Sequence, residues 1–134
     1  MSLDFTNSPL FKAKQVKDGT WVIGYVLYLD NFAKKATLVT LESLGSNRTP
    51  WATTVEAESL CMYTGLEDKN LYRIFENDIL RHSSGDAVVV QDAEGFEARY
   101  VEDGPGVSSY PLEYFIFGSQ EEPNQVEVIG NLFD

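Results

Sequence analysis

The sequence predicts an all-β fold: a small barrel-like arrangement of short antiparallel strands, with an SH3-like barrel in the C-terminal half. Three observations lead to this prediction. Aromatic and β-branched residues, which favour strands, occur along the whole 134-residue chain. Short apolar runs alternate with Gly, Pro, Asn and Asp turn signals every 8–12 residues or so, roughly the spacing typical of sandwiches and barrels. No window shows helical periodicity beyond about one turn.

The first element is a predicted hairpin in which "FKAKQV" and "WVIGYVLYL" flank Asp18-Gly19. An Asp-Gly pair between apolar runs predicts a tight turn whose two central residues both have positive φ. The second strand is apolar on both faces, so we expect it to be central or covered on both sides. Gly24 in its interior indicates a bend or a close approach of another backbone segment.

The remainder of the chain consists of further predicted strands. "ATLVTLES" and "WATTV" come first, and "DILRH", "AVVVQD" and "FEARYVE" form a meander with tight turns. Residues 77–100 are predicted to open the SH3-like barrel. "YPLEYFIFG" and "VEVIGNLF" are the last two predicted strands. "VEAESLCMY" is the best candidate for a short helix, although an extended conformation fits it equally.

The length of the chain is that of one domain. Residues 1–134 are expected to form either a single undivided domain or a domain of two small subdomains that share a core. One is an N-terminal β subdomain at about residues 5–55, and it packs on an SH3-like subdomain at about residues 56–134.

The net charge of −11 argues against direct nucleic-acid binding, because a protein that grips phosphates needs a basic face. The ten Lys and Arg are scattered, and Lys34-Lys35 is the one adjacent pair. Acidity indicates either solubility or a surface that competes with DNA for a basic partner. The single cysteine, Cys61, allows no intrachain disulfide. Without a secretory signal or a long apolar run, we expect a cytoplasmic protein with no membrane contact.

Acidic residues of the central stretch "YTGLEDKNLYRIFENDIL" are the first candidates for a site. Asp68, Glu76 and Asp78 could serve as oxygen ligands for a divalent cation, but only if the turns fold them toward one point. The alternative is turn chemistry, in which Asp68 closes an Asx turn and Asp78 accepts hydrogen bonds from turn amides. We favour the second interpretation and predict no metal site.

Nucleophiles and phosphate-binding loops are the other candidates. His82 is the only histidine, and a dyad with Cys61 or a serine requires tertiary proximity. Cys61 between Leu60 and Met62 is typical of a core, and His82 beside two serines is typical of a solvent-exposed turn. "GPG" at residues 104–106 lacks the helix and lysine of a phosphate loop. We therefore predict no catalytic residue and no cofactor. Six aromatic residues are expected to be mostly core, with some available for a subunit interface: Tyr63, Tyr72, Phe75, Tyr114, Phe115 and Phe117.

The chain resembles the YopX family of phage and prophage proteins. The resemblance lies in "FKAKQVKDGTWVIGYVL", "YTGLEDKNLYRIFENDIL" and "VEVIGNLFD", and less closely in "GDAVVVQDAEGFEARYV". The family pattern has Gly where this chain has Leu71, and again where it has Asn77. It commonly has Pro at the position of Ala57. The resemblance implies an all-β, phage-associated protein without assigned biochemistry, and it implies no catalytic residue.

Three classes of function are open at this point. The first, which we favour, is a non-enzymatic phage accessory protein that contacts an unknown protein partner and could form homo-oligomers. The second is an acidic inhibitor that competes with DNA for a nucleic-acid-binding protein. The third is an enzyme of unrecognised type, which a deep pocket with converging polar groups would favour.

Overall fold

A computed structural model describes residues 7–44, 51–102, 108–118 and 123–134. The chain divides into two compact units, Met1–Met62 and Tyr63–Asp134. Both consist mainly of antiparallel strands, so the predicted all-β class is confirmed. Within the described residues, no helix is long and apolar enough to cross a membrane.

The N-terminal unit is an antiparallel sheet in the order β4-β3-β2-β1-β5. Its strands are β1 (Phe11–Lys14), β2 (Trp21–Asp30), β3 (Lys35–Thr40), β4 (Ala52–Glu56) and the first two residues of β5 (Cys61–Glu67). A single helical turn, α1 (Leu41–Leu44), follows β3, and a 3₁₀ turn, Ala57–Ser59, precedes β5. The core of this unit is small and consists of Ala13, Ala36, Leu38 and Val55.

Strand β2 is central over only part of its length. It pairs with β1 from Trp21 to Gly24, and with β3 from Gly24 to Asp30. A Cβ at Gly24 would lie 2.1 Å from the carbonyl oxygen of Val39, which confirms the close backbone approach. The far half of β2 has β3 on one side and, within the described ranges, no strand on the other.

The first hairpin has a longer connection than the sequence predicts. Lys14 pairs with Trp21, so residues 15–20 form the loop. Gly19 has a positive φ but Asp18 does not, so the predicted tight turn is wrong. The N–H of Gln15 donates to the carbonyl oxygen of Thr20 across this loop, and Gln15 also forms an isolated antiparallel bridge with Val55. Asp18 Oδ1 accepts hydrogen bonds from the hydroxyl and the backbone N–H of Thr20, which lower the pKa of Asp18 below its usual value.

The C-terminal unit contains a second antiparallel sheet in the order β10-β9-β8-β7-β11. Its strands are β7 (Asp78–Arg81), β8 (Ala87–Asp92), β9 (Gly95–Tyr100), β10 (Ser109–Pro111) and β11 (Glu127–Asn131). The predicted meander through β7, β8 and β9 is present. The remainder of β5 pairs with β6 (Arg73–Phe75), and a bulge lies between the Tyr63 and Glu67 pairs.

A helix, α2 (Leu112–Phe117), occupies most of the segment predicted as a strand in "YPLEYFIFG". Leu112, Phe115 and Ile116 of this helix pack into the core with Leu80 and Val89 of the sheet. In both units the described strands form open sheets and close no barrel. The described strands therefore do not show the SH3-like barrel expected in the C-terminal half, and a helix follows β10 where the sequence predicts a strand.

The charge of the chain is divided unevenly between the units. Residues 1–62 have six basic and six acidic residues, and are formally neutral. Residues 63–134 have four basic and fifteen acidic residues, and thus contain the whole net charge of −11.

Candidate functional site

Asp68 is buried, with 1% of its surface exposed, and both of its carboxylate oxygens accept backbone hydrogen bonds. Oδ1 accepts from the N–H groups of Asn70 and Tyr72, each at 2.9 Å. The bond from Asn70 is the expected Asx turn. Oδ2 accepts from the N–H of Val128 at 2.9 Å, which joins the turn to β11. The sequence does not indicate this last contact, because Val128 lies sixty residues further along the chain.

Asp78 is fully buried. Its Oδ2 accepts from the N–H of Phe75 at 2.8 Å, as turn chemistry predicts. Its Oδ1 accepts from the side-chain amide of Asn131 at 2.9 Å. The same amide donates to the carbonyl oxygen of Glu76 at 3.3 Å. Burial follows because β11 pairs with β7 and brings Asn131 opposite Asp78.

Two turn residues of the central stretch have left-handed backbone. Asn77 has φ 68°, as predicted from the glycine that the family pattern has there. Leu71 has φ 69°, so a leucine occupies left-handed backbone at the position where the family pattern has glycine. Leu71 is also 77% exposed. A large apolar residue in this conformation is strained, and here no burial compensates the strain.

Hydrogen bonds account for the buried carboxylates of the central stretch. The structure shows no group of three or more His, Cys, Asp or Glu side chains near enough to hold a cation within the described ranges. The oxygens of Asp68 and Asp78 accept hydrogen bonds from backbone and amide N–H groups. Both carboxylates therefore link segments that are distant in the sequence through hydrogen bonds.

His82 lies in a turn, as predicted, but it is half-buried and its ring packs on Phe115 at a centroid distance of 4.7 Å. The N–H of Ser84 donates to His82 Nδ1 at 3.0 Å. Because a backbone N–H can only donate, Nδ1 is the acceptor and the ring proton is on Nε2. That proton is donated to Gln125 Oε1 at 3.1 Å.

A chain of side-chain hydrogen bonds continues from the imidazole. Ser84 Oγ lies 2.7 Å from His82 Nδ1 and 2.8 Å from the Tyr100 hydroxyl. Since Nδ1 accepts, the Ser84 hydroxyl donates to it, and the Tyr100 hydroxyl in turn donates to Ser84 Oγ. The sequence indicates the local His82–Ser84 pair, two residues apart in a turn, but not its partners Tyr100 and Gln125.

An open cavity of about 270 Å³ lies beside these hydrogen-bonded side chains. His82, Ser84 and four aromatic residues line it: Tyr100, Tyr110, Tyr114 and Phe115. The aromatic rings contact one another, with Tyr110 stacked on Tyr114 at 5.3 Å and Tyr100 edge-on to Phe115 at 5.7 Å. All of these residues belong to the C-terminal unit. This cavity is the candidate functional site.

The remaining candidates are positioned as follows. Cys61 is buried, and its thiol lies 3.4 Å from the carbonyl oxygen of Ser59, which fits the predicted core position. Phe75 and Phe115 are buried, and Tyr63 and Phe117 are half-buried, whereas Tyr72 and Tyr114 are exposed. The "GPG" segment at residues 104–106 lies outside the described residues.

A comparison with known protein families gives one match. Residues 10–134 match the family described as YopX protein. The chain belongs to the YopX family. No curated protein matches the sequence.

The YopX blocks quoted above have a structural explanation. The middle block supplies Asp68 and Asp78, and the last block supplies Val128 and Asn131, which bond to them. Two segments that are far apart in the sequence are therefore joined through buried carboxylates. The same two blocks contribute Ile74, Leu80 and Val126 to the core of the C-terminal unit.

Proposed function

We propose that this YopX protein is a phage- or prophage-encoded accessory protein of the bacterial cytoplasm that acts by binding another protein, without catalysis. The observation that carries this proposal is an exposed apolar surface on the β2–β3 hairpin of the N-terminal unit. We call it the hairpin surface, and it consists of Leu27, Tyr28, Leu29 and Phe32.

Hydrogen bonds at the tip of the hairpin order the backbone that carries these apolar anchors. Phe32 is 100% exposed and Tyr28 is 64% exposed. Asp30 Oδ1 accepts hydrogen bonds from the N–H groups of Phe32 and Ala33, at 3.1 and 3.0 Å, and holds the tip of the hairpin. Anchors that are ordered before binding lose less conformational entropy in a complex, and aromatic anchors contribute most to interface energies.

Electrostatics and backbone pairing also favour a contact at this place. The N-terminal unit is formally neutral, so a partner approaching the hairpin surface does not need to be basic. The half of β2 from Val26 to Asp30 has β3 on one side only, within the described ranges. A strand edge of this kind can pair with an extended segment of a partner.

Capture from a lysate of host cells tests the proposal. The baits are the wild type, Leu27→Ser/Phe32→Ser and, as a matched control in the C-terminal unit, Tyr72→Ser. Loss of two apolar anchors should lower the retained partner by about tenfold or more, whereas Tyr72→Ser should retain it fully. Equal capture of the partner by all three baits would show that the partner does not bind the hairpin surface.

A second candidate function is an acidic inhibitor that competes with DNA for a nucleic-acid-binding protein. The unequal division of charge favours it, because fifteen acidic residues against four basic ones lie in the C-terminal unit alone. A surface of this kind attracts basic proteins over several ångströms, and salt screens the attraction.

The same capture experiment separates the two functions. A partner that binds the hairpin surface should stay bound in the presence of duplex DNA and 0.3 M NaCl. A partner of an acidic competitor should be released by both, and it should be captured equally by Leu27→Ser/Phe32→Ser.

A further inference from the structure

The cavity beside His82 is lined by aromatic rings and hydroxyl groups. Among the described residues that line it there is no Asp, Glu, Lys or Arg. Tyr114 is half exposed at the cavity, and its ring stacks on Tyr110. A ligand would therefore meet π-faces and hydroxyl oxygens.

The charge of the surrounding unit decides which class of ligand fits. The C-terminal unit has a net charge of −11, which disfavours phosphates, carboxylates and nucleotides. The same field raises the local concentration of cations. Aromatic faces attract cations through their quadrupoles, most strongly where water is partly excluded. A cavity that is lined by several aromatic rings and belongs to an acidic unit should bind an organic cation more tightly than an uncharged aromatic ligand.

Cation–π contacts already occur elsewhere in the chain. The Lys12 ammonium lies 4.7 Å from the centre of the Trp21 ring, and the Arg73 guanidinium lies 5.9 Å from that of Tyr63. Within the described ranges, no lysine or arginine of the chain stacks in this way on Tyr100, Tyr110 or Tyr114. The rings of the cavity are therefore available to a cation from outside the chain.

We propose that this cavity binds a guanidinium group, as found on the arginine side chain of a basic protein segment or on a small guanidinium compound. Guanidinium is planar and weakly hydrated, so it stacks on aromatic rings at a lower desolvation cost than an ammonium group. Its N–H groups can donate to the hydroxyl oxygens of Tyr110 and Tyr114. This site is in the C-terminal unit and does not depend on the hairpin surface, so either proposal can fail alone.

Titration with N-acetyl-arginine amide, followed by NMR of the aromatic side chains, tests the proposal. The expected result is a saturable shift at Tyr100, Tyr110 and Tyr114, which N-acetyl-citrulline amide, a neutral isostere, does not produce. Tyr114→Leu should weaken binding by about fivefold, and Tyr114→Phe should weaken it by clearly less, because the ring is retained and only the hydroxyl acceptor is lost. Tyr72→Leu, an exposed tyrosine of the same unit, is the matched control and should not change the affinity.

Several outcomes would overturn the proposal. Equal shifts with citrulline amide would show that the charge is not recognised. Shifts spread over the acidic surface that persist in Tyr114→Leu would reduce the effect to non-specific attraction. An equal loss of affinity in Tyr114→Phe and Tyr114→Leu would contradict the role of the ring. Arginine-containing peptides that bind at least tenfold more tightly than the amide would identify a protein segment as the source of the guanidinium, whereas equal affinities would favour a small compound.

Discussion

Replacing Asp68 by alanine should lower the free energy of unfolding of the C-terminal unit by about 4 kcal/mol. The carboxylate is buried and accepts from three backbone N–H groups, those of Asn70, Tyr72 and Val128. Alanine leaves these donors without an acceptor, and each buried unsatisfied donor costs roughly 1–3 kcal/mol. Denaturant unfolding followed by circular dichroism measures the effect.

Two further variants make this prediction specific. Asp68→Asn keeps one acceptor oxygen but turns an NH₂ group toward a backbone donor, so it should lose about half as much stability. Glu67→Ala removes an exposed carboxylate next in the sequence and should change stability by less than about 0.5 kcal/mol. If Asp68→Ala were as stable as Glu67→Ala, the carboxylate would have no structural role.

Glycine at position 71 should stabilise the protein, and valine at position 77 should destabilise it. Both positions have left-handed backbone, with φ 69° at Leu71 and φ 68° at Asn77. Leu71→Gly removes steric strain and little burial, and should gain about 0.5–1 kcal/mol. Asn77→Gly should be neutral or slightly stabilising, whereas Asn77→Val should cost about 1–2 kcal/mol.

Tyr72→Gly provides the matched control for position 71. Tyr72 is also exposed, but its φ is negative, so glycine there only adds conformational entropy to the unfolded chain. This variant should lose about 0.5–1 kcal/mol, opposite in sign to Leu71→Gly. Thermal melts of the variants in one buffer give the comparison. The same sign at both positions would show that backbone strain at Leu71 is not the cause.

Local chemistry could be predicted from the sequence, and long-range pairing could not. The Asx turn at Asp68 and the positive φ at Asn77 depend on residues within a few positions, and both are present. The burial of Asp78 depends on Asn131, fifty-three residues away. No local pattern indicates such a partner.

The predictions for the segment that forms helix α2, and for a barrel, differ from the structure for another reason. "YPLEYFIF" has apolar residues at nearly every position, so periodicity cannot distinguish a buried helix from a strand. The helix forms because Leu112, Phe115 and Ile116, three and four positions apart, fill the core. The barrel prediction counted this segment as a strand and was wrong for that reason.

The sequence indicates only the local part of the candidate site. His82 and Ser84 are close together in the chain, and their contact follows from the turn that Gly85 N–H closes on the His82 carbonyl. Phe115, Tyr110 and Tyr114 come from a different segment, and only the fold brings them to the imidazole. The hairpin surface was missed because apolar residues on both faces of β2 predicted burial, whereas β1 pairs with only half of the strand.

We expect the acidic central stretch to build the fold and to bind no divalent cation. The most direct test is thermal unfolding in millimolar Mg²⁺, Ca²⁺, Mn²⁺ or Zn²⁺ against NaCl at matched ionic strength, in wild type, Glu76→Gln and Glu76→Gln/Asp78→Asn. A bound ion would raise the melting temperature in a saturable way. We expect no rise beyond that in NaCl, which should stabilise the acidic chain slightly by screening. A saturable rise of several degrees in the wild type that both variants lose would contradict the claim.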